Sequence, residues 1–410
     1  MPKCLYVLME DILTIIEETL KKLNLIGRFM AQAYVHNLDP FLLEFSWEPL
    51  VKIFGTEFGI RWYGMAYLMG FICGYLALRY MIKRGTMPLN AEQMADYVTY
   101  VAIGTMVGGR LGYCLFYAPE TLWDFHGAFP YWGLLEVNKG GMASHGGIIG
   151  IIVAAFLFGR KYKINKLFLV DMSSLMGGLG IFFGRIANFI NGELYGRECP
   201  PDYSWPVKFP SELHNWAVYH TEKLKELAPQ MDTIAAQLKL QHLTHLKFQI
   251  LETLSPETWT SWVNQYSYSG QARYNISSTI DEIILAIQNG SVEMANALAP
   301  VLTSRYPSQL YQALMEGLFV LVVCNIVWLK PRKPGVITAI FGLLYALMRI
   351  AGEQYRMPDA HLGFQALGLT RGQWLSVGMV AVALVFMWIA LKGKGQPMGG
   401  WNVLKKKTNP

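Results

Sequence analysis

Apolar and polar positions alternate along this chain in long blocks rather than residue by residue. Seven blocks are apolar over lengths close to the roughly 20 residues that cross a hydrocarbon core. They run at about residues 59–81, 97–117, 145–158 with its flanks, 167–190, 310–329, 336–355 and 374–391. The pattern predicts an all-α polytopic membrane protein with about seven transmembrane helices. Ahead of them, residues 1–30 place Leu5, Leu8, Ile12, Ile15, Ile16, Leu20 and Leu23 at helical spacing, with Glu10, Asp11, Glu17 and Glu18 between. That is an amphipathic helix, too acidic for a signal peptide.

The fourth connection, about residues 198–308, is long enough to fold. Apolar residues at three-and-four spacing predict helices at 211–227, 231–254, 280–289 and 292–303. Leu213, Trp216, Leu224, Leu227, Ile234, Leu238, Leu243, Leu246, Ile250, Leu251 and Trp259 are the candidate core. The chain then divides into an amphipathic extension (1–35), four spans with a polar cluster (36–197), an enlarged helical extracytoplasmic loop domain or cap (198–306), three spans (307–392) and a basic cytoplasmic tail (393–410). The cap is expected to act in substrate recognition or in docking to secretion machinery.

Charge orients the spans. The first loop holds Arg79, Lys83 and Arg84, and the third holds Arg160, Lys161, Lys163 and Lys166. The fifth holds Lys330, Arg332 and Lys333, and the tail holds Lys392, Lys394, Lys405, Lys406 and Lys407. Between them, the second loop carries Lys139, and the sixth carries Arg356 and Arg371 at its ends. Cytoplasmic loops are the basic ones, which places the N-terminus outside and the C-terminus in the cytoplasm.

Composition narrows the class further. The chain is 53% hydrophobic and 16% charged, against about 25% charged in average globular proteins. The net charge of +6 sits between apolar blocks rather than on one stripe, which argues against a nucleic-acid partner. Cys4, Cys73, Cys114, Cys199 and Cys324 have neither disulfide nor metal spacing. Gly104, Gly108 and Gly112, and again Gly180 and Gly184, lie at the four-residue spacing of close helix packing.

The chemistry collects where apolar blocks end. Residues 184–197 read GRIANFINGELYGR, and Arg185 and Asn188 share one helix face. A lone arginine there reads equally as a side chain snorkelling to headgroups; Asn188, Asn191 and Glu193 beside it do not fit that reading. With the charge-derived orientation, Tyr63, Arg110, His145, Arg185, Asn188, Gln309, Tyr311, Glu316, Arg349, Glu353 and Arg356 all fall in the outer half of the bilayer. Arg349, Glu353 and Arg356 are spaced for one helix face. Converging guanidiniums suit a phosphate-bearing lipid. His145, flanked by Gly146 and Gly147, titrates near neutrality and could move a proton, although a lone histidine at a span end is more often structural.

The stretch Gly184-Arg185-Ile-Ala-Asn188-Phe189-Ile-Asn191-Gly-Glu193-Leu-Tyr-Gly196 resembles the long signature of the prolipoprotein diacylglyceryl transferase family. Arg61-Trp-Tyr63-Gly64, Gly109-Arg110-Leu-Gly112-Tyr113, Gly141-Met-Ala-Ser-His145-Gly-Gly, Pro307-Ser-Gln-Leu-Tyr311 and Arg349-Ile-Ala-Gly-Glu353-Gln-Tyr-Arg356-Met-Pro-Asp359 occur in the family's order. Two positions depart: Tyr306 and Gln312 stand where the family commonly has histidine and glutamate.

The resemblance implies a bacterial inner-membrane enzyme. It would move the diacylglyceryl group of phosphatidylglycerol onto the lipobox cysteine of a prolipoprotein, releasing glycerol phosphate without a cofactor. His145 is then the candidate base, and Arg185 and Arg349 the candidates for the phosphate. Tyr63, Arg110, Asn188, Glu193, Gly196, Glu353 and Arg356 would orient the headgroup, with membrane lipids around the protein. Left open beside this are another phospholipid-headgroup enzyme, a transporter of an anionic lipid, and an inactive homologue.

Overall fold

The computed structural model describes residues 33–44, 59–127, 131–136, 141–240, 248–358 and 363–402. The expected helix in residues 1–30 lies outside these residues, as do Lys139, Leu243, Leu246, Asp359, Lys405, Lys406 and Lys407. In chain order come β1 (Tyr34–Val35), β2 (Phe41–Glu44), β3 (Gly59–Arg61), α1 (Trp62–Arg84), α2 (Ala91–Phe116), α3 (Ser144–Tyr162) and α4 (Lys166–Ile190). Next are β4 (Val207–Lys208), α5 (Glu212–Tyr219), α6 (Met231–Leu240), α7 (Phe248–Thr253), α8 (Pro256–Gln265), α9 (Gly270–Gln288) and α10 (Val292–Leu298). Last are α11 (Ser308–Val327), α12 (Val336–Gly352) and α13 (Arg371–Lys392). The strands, which the hydrophobic pattern does not announce, pair as β1 with β4 in parallel and β2 with β3 antiparallel.

Two units result. One takes residues 40–188, 310–354 and 361–410; the other takes 189–309 with 1–39 and 355–360. The first, the apolar unit, contains α1–α3, α12 and α13 with most of α4 and α11. Among the described residues, α1, α4, α11 and α13 are long and apolar enough to cross a membrane. Helix α12 is apolar but only 17 residues long. Helix ends obey local chemistry. An Asn90–Gln93 capping box starts α2 and a Thr370–Gln373 box starts α13, each satisfying otherwise orphaned N–H groups. Asn165 accepts from Leu167 N and Phe168 N at the start of α4.

Backbone contact sets the packing of this unit. A methyl on Gly108 would overlap the Gly146 carbonyl, and one on Gly150 would overlap that of Gly104, so α2 and α3 lie against each other without side chains between. The expected small-residue face of Gly104, Gly108 and Gly112 is thus used. Gly180 and Gly184 differ: a methyl at either meets nothing within 4 Å. The close approach of α4 instead uses Gly178, where a methyl would stand 2.7 Å from Gly317 O of α11. Asp171, fully buried in α4, accepts from Gly335 N (2.7 Å), Thr338 N (2.8 Å) and Thr338 Oγ1 (2.7 Å). A carboxylate at a helix N-terminus satisfies orphan donors and the helix dipole together, so α4 holds α12 by its first turn.

The second unit has its own core. Leu213, Trp216, Leu224, Leu227, Ile234, Leu238 and Trp259 are buried together, with Leu251 partly buried against them. Ile250 is buried as well. Trp259 Nε1 donates to Leu224 O at 2.7 Å, as a buried indole requires. The expected helix at 280–289 begins earlier, at Gly270, because Ser269 caps it. Helix α8 is additional to the expected helices. Its signals are a serine N-cap, Ser255, with Pro256 at the first helical position. The expected 211–227 helix changes to a tighter 3₁₀ winding over Thr221–Gln230.

Beside β1, His36 is buried, donates from Nε2 to Phe189 O at 2.7 Å, and meets Phe189 edge-on with ring centroids 5.4 Å apart. Burial pushes its pKa down to about 4. The unfolded chain binds a proton near pH 6.5, which the folded ring refuses until about pH 4. His36 therefore supports full stability above pH 6.5 and withdraws about 3 kcal/mol of it as pH falls to 4. His36→Gln, which cannot titrate, is expected to flatten that part of the curve. The check is the difference in thermal midpoint between the two proteins across pH 4–7.

Candidate active site

In the apolar unit, the sequence-selected side chains meet around one carboxylate. Glu316 lies in a π-helical turn of α11, Ala313–Phe319. Such a turn inserts a residue and re-aims side chains, often at functional sites. Glu316 has no exposure. Its Oε2 takes Arg185 Nη2 at 2.8 Å from α4, and its Oε1 takes Arg349 Nη1 at 3.3 Å from α12. Arg349 Nη2 reaches Glu353 Oε1 at 2.9 Å, and Thr370 Oγ1 donates to Glu353 Oε2 at 2.9 Å. A methyl on Gly372 would stand 3.0 Å from that carboxyl, so Glu353 rests against the first turn of α13, where the helix dipole favours an anion.

The arrangement alternates in charge: Arg185, Glu316, Arg349, Glu353, then the start of α13. The arginine side chains remain 14% and 13% exposed. Nε and Nη1 of Arg185 make no hydrogen bond among the described residues. Next to this group, Asn188 Nδ2 donates to Tyr63 OH, tying the end of α4 to the start of α1. His145, in the first turn of α3, is exposed and within electrostatic reach of Arg349 and Arg371.

Arg110 is engaged differently. It is buried on α2 and gives Nε to Leu134 O (2.8 Å), Nη1 to Gly141 O (3.1 Å) and Nη2 to Gly133 O (2.6 Å). With all three nitrogens on carbonyls, it clamps the segment that leads into α3 and His145.

Glu193, Gly196, Gln309 and Arg356, all selected from the sequence, belong to the second unit. Gly196 pairs with Arg356 in an antiparallel bridge, and a methyl on Gly196 would overlap Tyr306 O. The Glu193 carbonyl accepts from Gln309 Nε2 at 2.7 Å. The expectation that Arg349, Glu353 and Arg356 share a helix face holds for the first two only. Helix α12 stops at Gly352, and residues 355–357 turn to pair with 195–197 through Arg197 N→Tyr355 O (2.9 Å) and Met357 N→Tyr195 O (3.2 Å).

The sequence pattern marks some participants incompletely and others not at all. Glu316 is among the outer-half polar residues it selects, an acid inside an apolar helix being itself a signal, but nothing there pairs it with two arginines. Thr370 and Arg371 read as loop residues. Arg305, in the second unit, holds Glu212 Oε2 at 2.7 Å and donates to Gly196 O at 3.1 Å; nothing in its sequence neighbourhood marks it.

A protein-family model described as prolipoprotein diacylglyceryl transferase matches residues 50–389. A relative from Bdellovibrio bacteriovorus named phosphatidylglycerol–prolipoprotein diacylglyceryl transferase is 46% identical over 367 residues, 90% of this chain and 97% of its own. Relatives of the same name from Stenotrophomonas maltophilia (33% identical; 86% of this chain, 92% of theirs) and Neisseria gonorrhoeae (31%; 85% and 95%) are also similar.

Removing the charge of Glu316 leaves Arg185 without its carboxylate and Arg349 with Glu353 alone, in a low-dielectric site. Glu316→Gln, close in shape, is expected to destabilise the protein by roughly 3 kcal/mol, the usual scale for breaking a buried pair from one side. A lowered thermal midpoint in detergent checks this; an unchanged midpoint would show that Glu316 does not hold the arginines.

Proposed function

This chain belongs to the prolipoprotein diacylglyceryl transferase family, and from that membership we infer that it transfers the diacylglyceryl group of phosphatidylglycerol to a cysteine thiol of a prolipoprotein. The observation that carries the reading is the pair of partly exposed arginines, Arg185 and Arg349, held by one buried carboxylate in a chain that matches the family model over residues 50–389.

The reaction is a displacement at carbon. The sulfur attacks the glyceryl carbon that bears the phosphate, an S–C bond forms, and the C–O bond breaks with its electron pair on the departing glycerol phosphate. The thiol proton goes to the imidazole of His145, which is exposed and so open to a substrate. Cations beside it favour the thiolate, the nucleophilic form. Arg185 and Arg349 face the growing phosphate charge, and fixed guanidiniums there lower the barrier because they need no reorganisation. The Nε and Nη1 donors of Arg185 are the ones left for phosphate oxygens. Asn188 with Tyr63, and Glu353 with Thr370, hold these groups in register. Arg110 acts at one remove, through the segment that carries His145. Glu193, Gly196 and Arg356 shape the signature segment after α4.

The membrane arrangement belongs to the same proposal. Helices α1–α4 and α11–α13 are seven spans in a bacterial inner membrane, with the N-terminus outside, the C-terminus cytoplasmic and the site towards the outer leaflet. The support is the alternation of basic loops. Residues 198–306 then lie outside, where prolipoproteins and the machinery that delivers them arrive.

Release of glycerol phosphate from phosphatidylglycerol in the presence of a lipobox peptide, by the purified protein in detergent, tests the reading; no release sinks it. Within that assay, Arg185→Lys and Arg349→Lys are each expected to lose most activity while still inserting, since lysine lacks the planar fork. His145→Asn keeps hydrogen bonding but cannot take a proton. It is expected to lose on the order of 100-fold in kcat and the pH dependence with it, and a parental rate and pH profile would remove His145 as the base.

A further inference from the structure

Gln312 has no exposure, and among the described residues neither its Oε1 nor its Nε2 has a hydrogen-bond partner. Buried side-chain amides are nearly always satisfied, because an unmade hydrogen bond in a low-dielectric site is destabilising. Its position is informative. Gln312 precedes Glu316 by four residues on α11, so the two side chains share a face. Both rest on the same spot of α12: a methyl on Gly352 would stand 3.2 Å from Gln312 Cγ and 3.3 Å from Glu316 Oε1. The stem of the orphaned amide thus packs at the same point of α12 as the carboxylate that holds Arg185 and Arg349.

An amide differs from every other group in this cluster. The guanidiniums only donate and the carboxylates only accept, whereas Gln312 offers one of each from a single planar group. A hydroxyl also donates and accepts. In the donor lipid, the group attached beyond the phosphate is a glycerol with free hydroxyls. We propose that Gln312 is a specificity-determining residue, which takes the headgroup glycerol hydroxyls of the phospholipid whose phosphate lies on Arg185 and Arg349. The inference rests on the transferase reading above and adds to it the group that tells one anionic phospholipid from another. A site with a buried hydrogen-bonding group rejects an analogue that lacks the matching hydroxyl, since that group is then left unpaired. Gln312 has no partner among the described residues, so the hydroxylated lipid supplies the one its amide lacks there.

The test compares two donors for the full-length protein in non-ionic detergent with a lipobox peptide as acceptor. Phosphatidylglycerol and phosphatidylmethanol with the same acyl chains both carry one phosphodiester charge, and only the first has headgroup hydroxyls. The unaltered protein is expected to favour phosphatidylglycerol in kcat/KM by at least about tenfold, the scale of one satisfied hydrogen bond. Gln312→Met, similar in length and without polar atoms to satisfy, is expected to bring that ratio near one through KM for the lipid. Its melting temperature without donor should stay the same or rise. An unaltered protein that does not discriminate overturns the proposal, as does a Gln312→Met protein that keeps the original ratio. A variant that melts lower or fails to fold also overturns it, because it would show the amide to be structurally satisfied by a bound water. Absence of any transfer by the unaltered protein defeats the transferase reading itself, which keeps the two failures apart.

Discussion

A carboxylate without solvent and two arginines at the ends of apolar helices can exist here only because each satisfies the other. Glu316 alone would be a buried charge, and Arg185 and Arg349 alone would be cations in an apolar setting; either is costly enough to exclude the conformation. Much of the apolar unit serves to bring them together. Gly178 lets α4 and α11 touch by backbone, which shortens the reach from Arg185 to Glu316. The wide turn at Ala313–Phe319 aims the carboxylate. Asp171 holds the first turn of α12, and that helix carries Arg349 at its opposite end. Glu353 then passes the second bond of Arg349 to the start of α13.

The second unit repeats the device. Arg305 and Glu212 are both buried and paired at 2.7 Å. Glu212 also accepts from Thr303 N at 2.7 Å, and Arg305 gives its remaining nitrogen to Gly196 O. One ion pair therefore joins the start of α5, the segment after α10 and the signature segment. The signature is held as much by an arginine about a hundred residues downstream as by its own sequence.

Block hydrophobicity made the helices legible: each of the seven expected stretches contains a helix, and among the described residues four of these, α1, α4, α11 and α13, are long and apolar enough to cross a membrane. That pattern leaves out pairing across the chain. The spacing of Arg349, Glu353 and Arg356 suggested one face, yet Gly352 ends the helix and Arg356 pairs with Gly196; three-residue periodicity cannot reveal where a helix stops. Arg110 and Arg185 look alike in sequence, each beside a glycine near the end of an apolar block. Carbonyls from residues 133–141 occupy the first, and a carboxylate from another helix holds one nitrogen of the second. Only tertiary structure separates a clamp from a candidate ligand. In the long loop, α8 is hard to read because Trp259 and Val263 are its buried apolar residues, too few for a period, although Ser255 and Pro256 mark its start.

The contact between α2 and α3 bears on where a two-tailed lipid can pass between helices. Along Gly104, Gly108, Gly146 and Gly150 the two backbones leave no room for one methyl group. An acyl chain is wider than that throughout its length, and parting the helices would forfeit their closest contact. The α2–α3 seam is therefore a wall rather than a door. Any passage for lipid between helices is thereby left to other helix pairs, an exclusion set by four missing side chains.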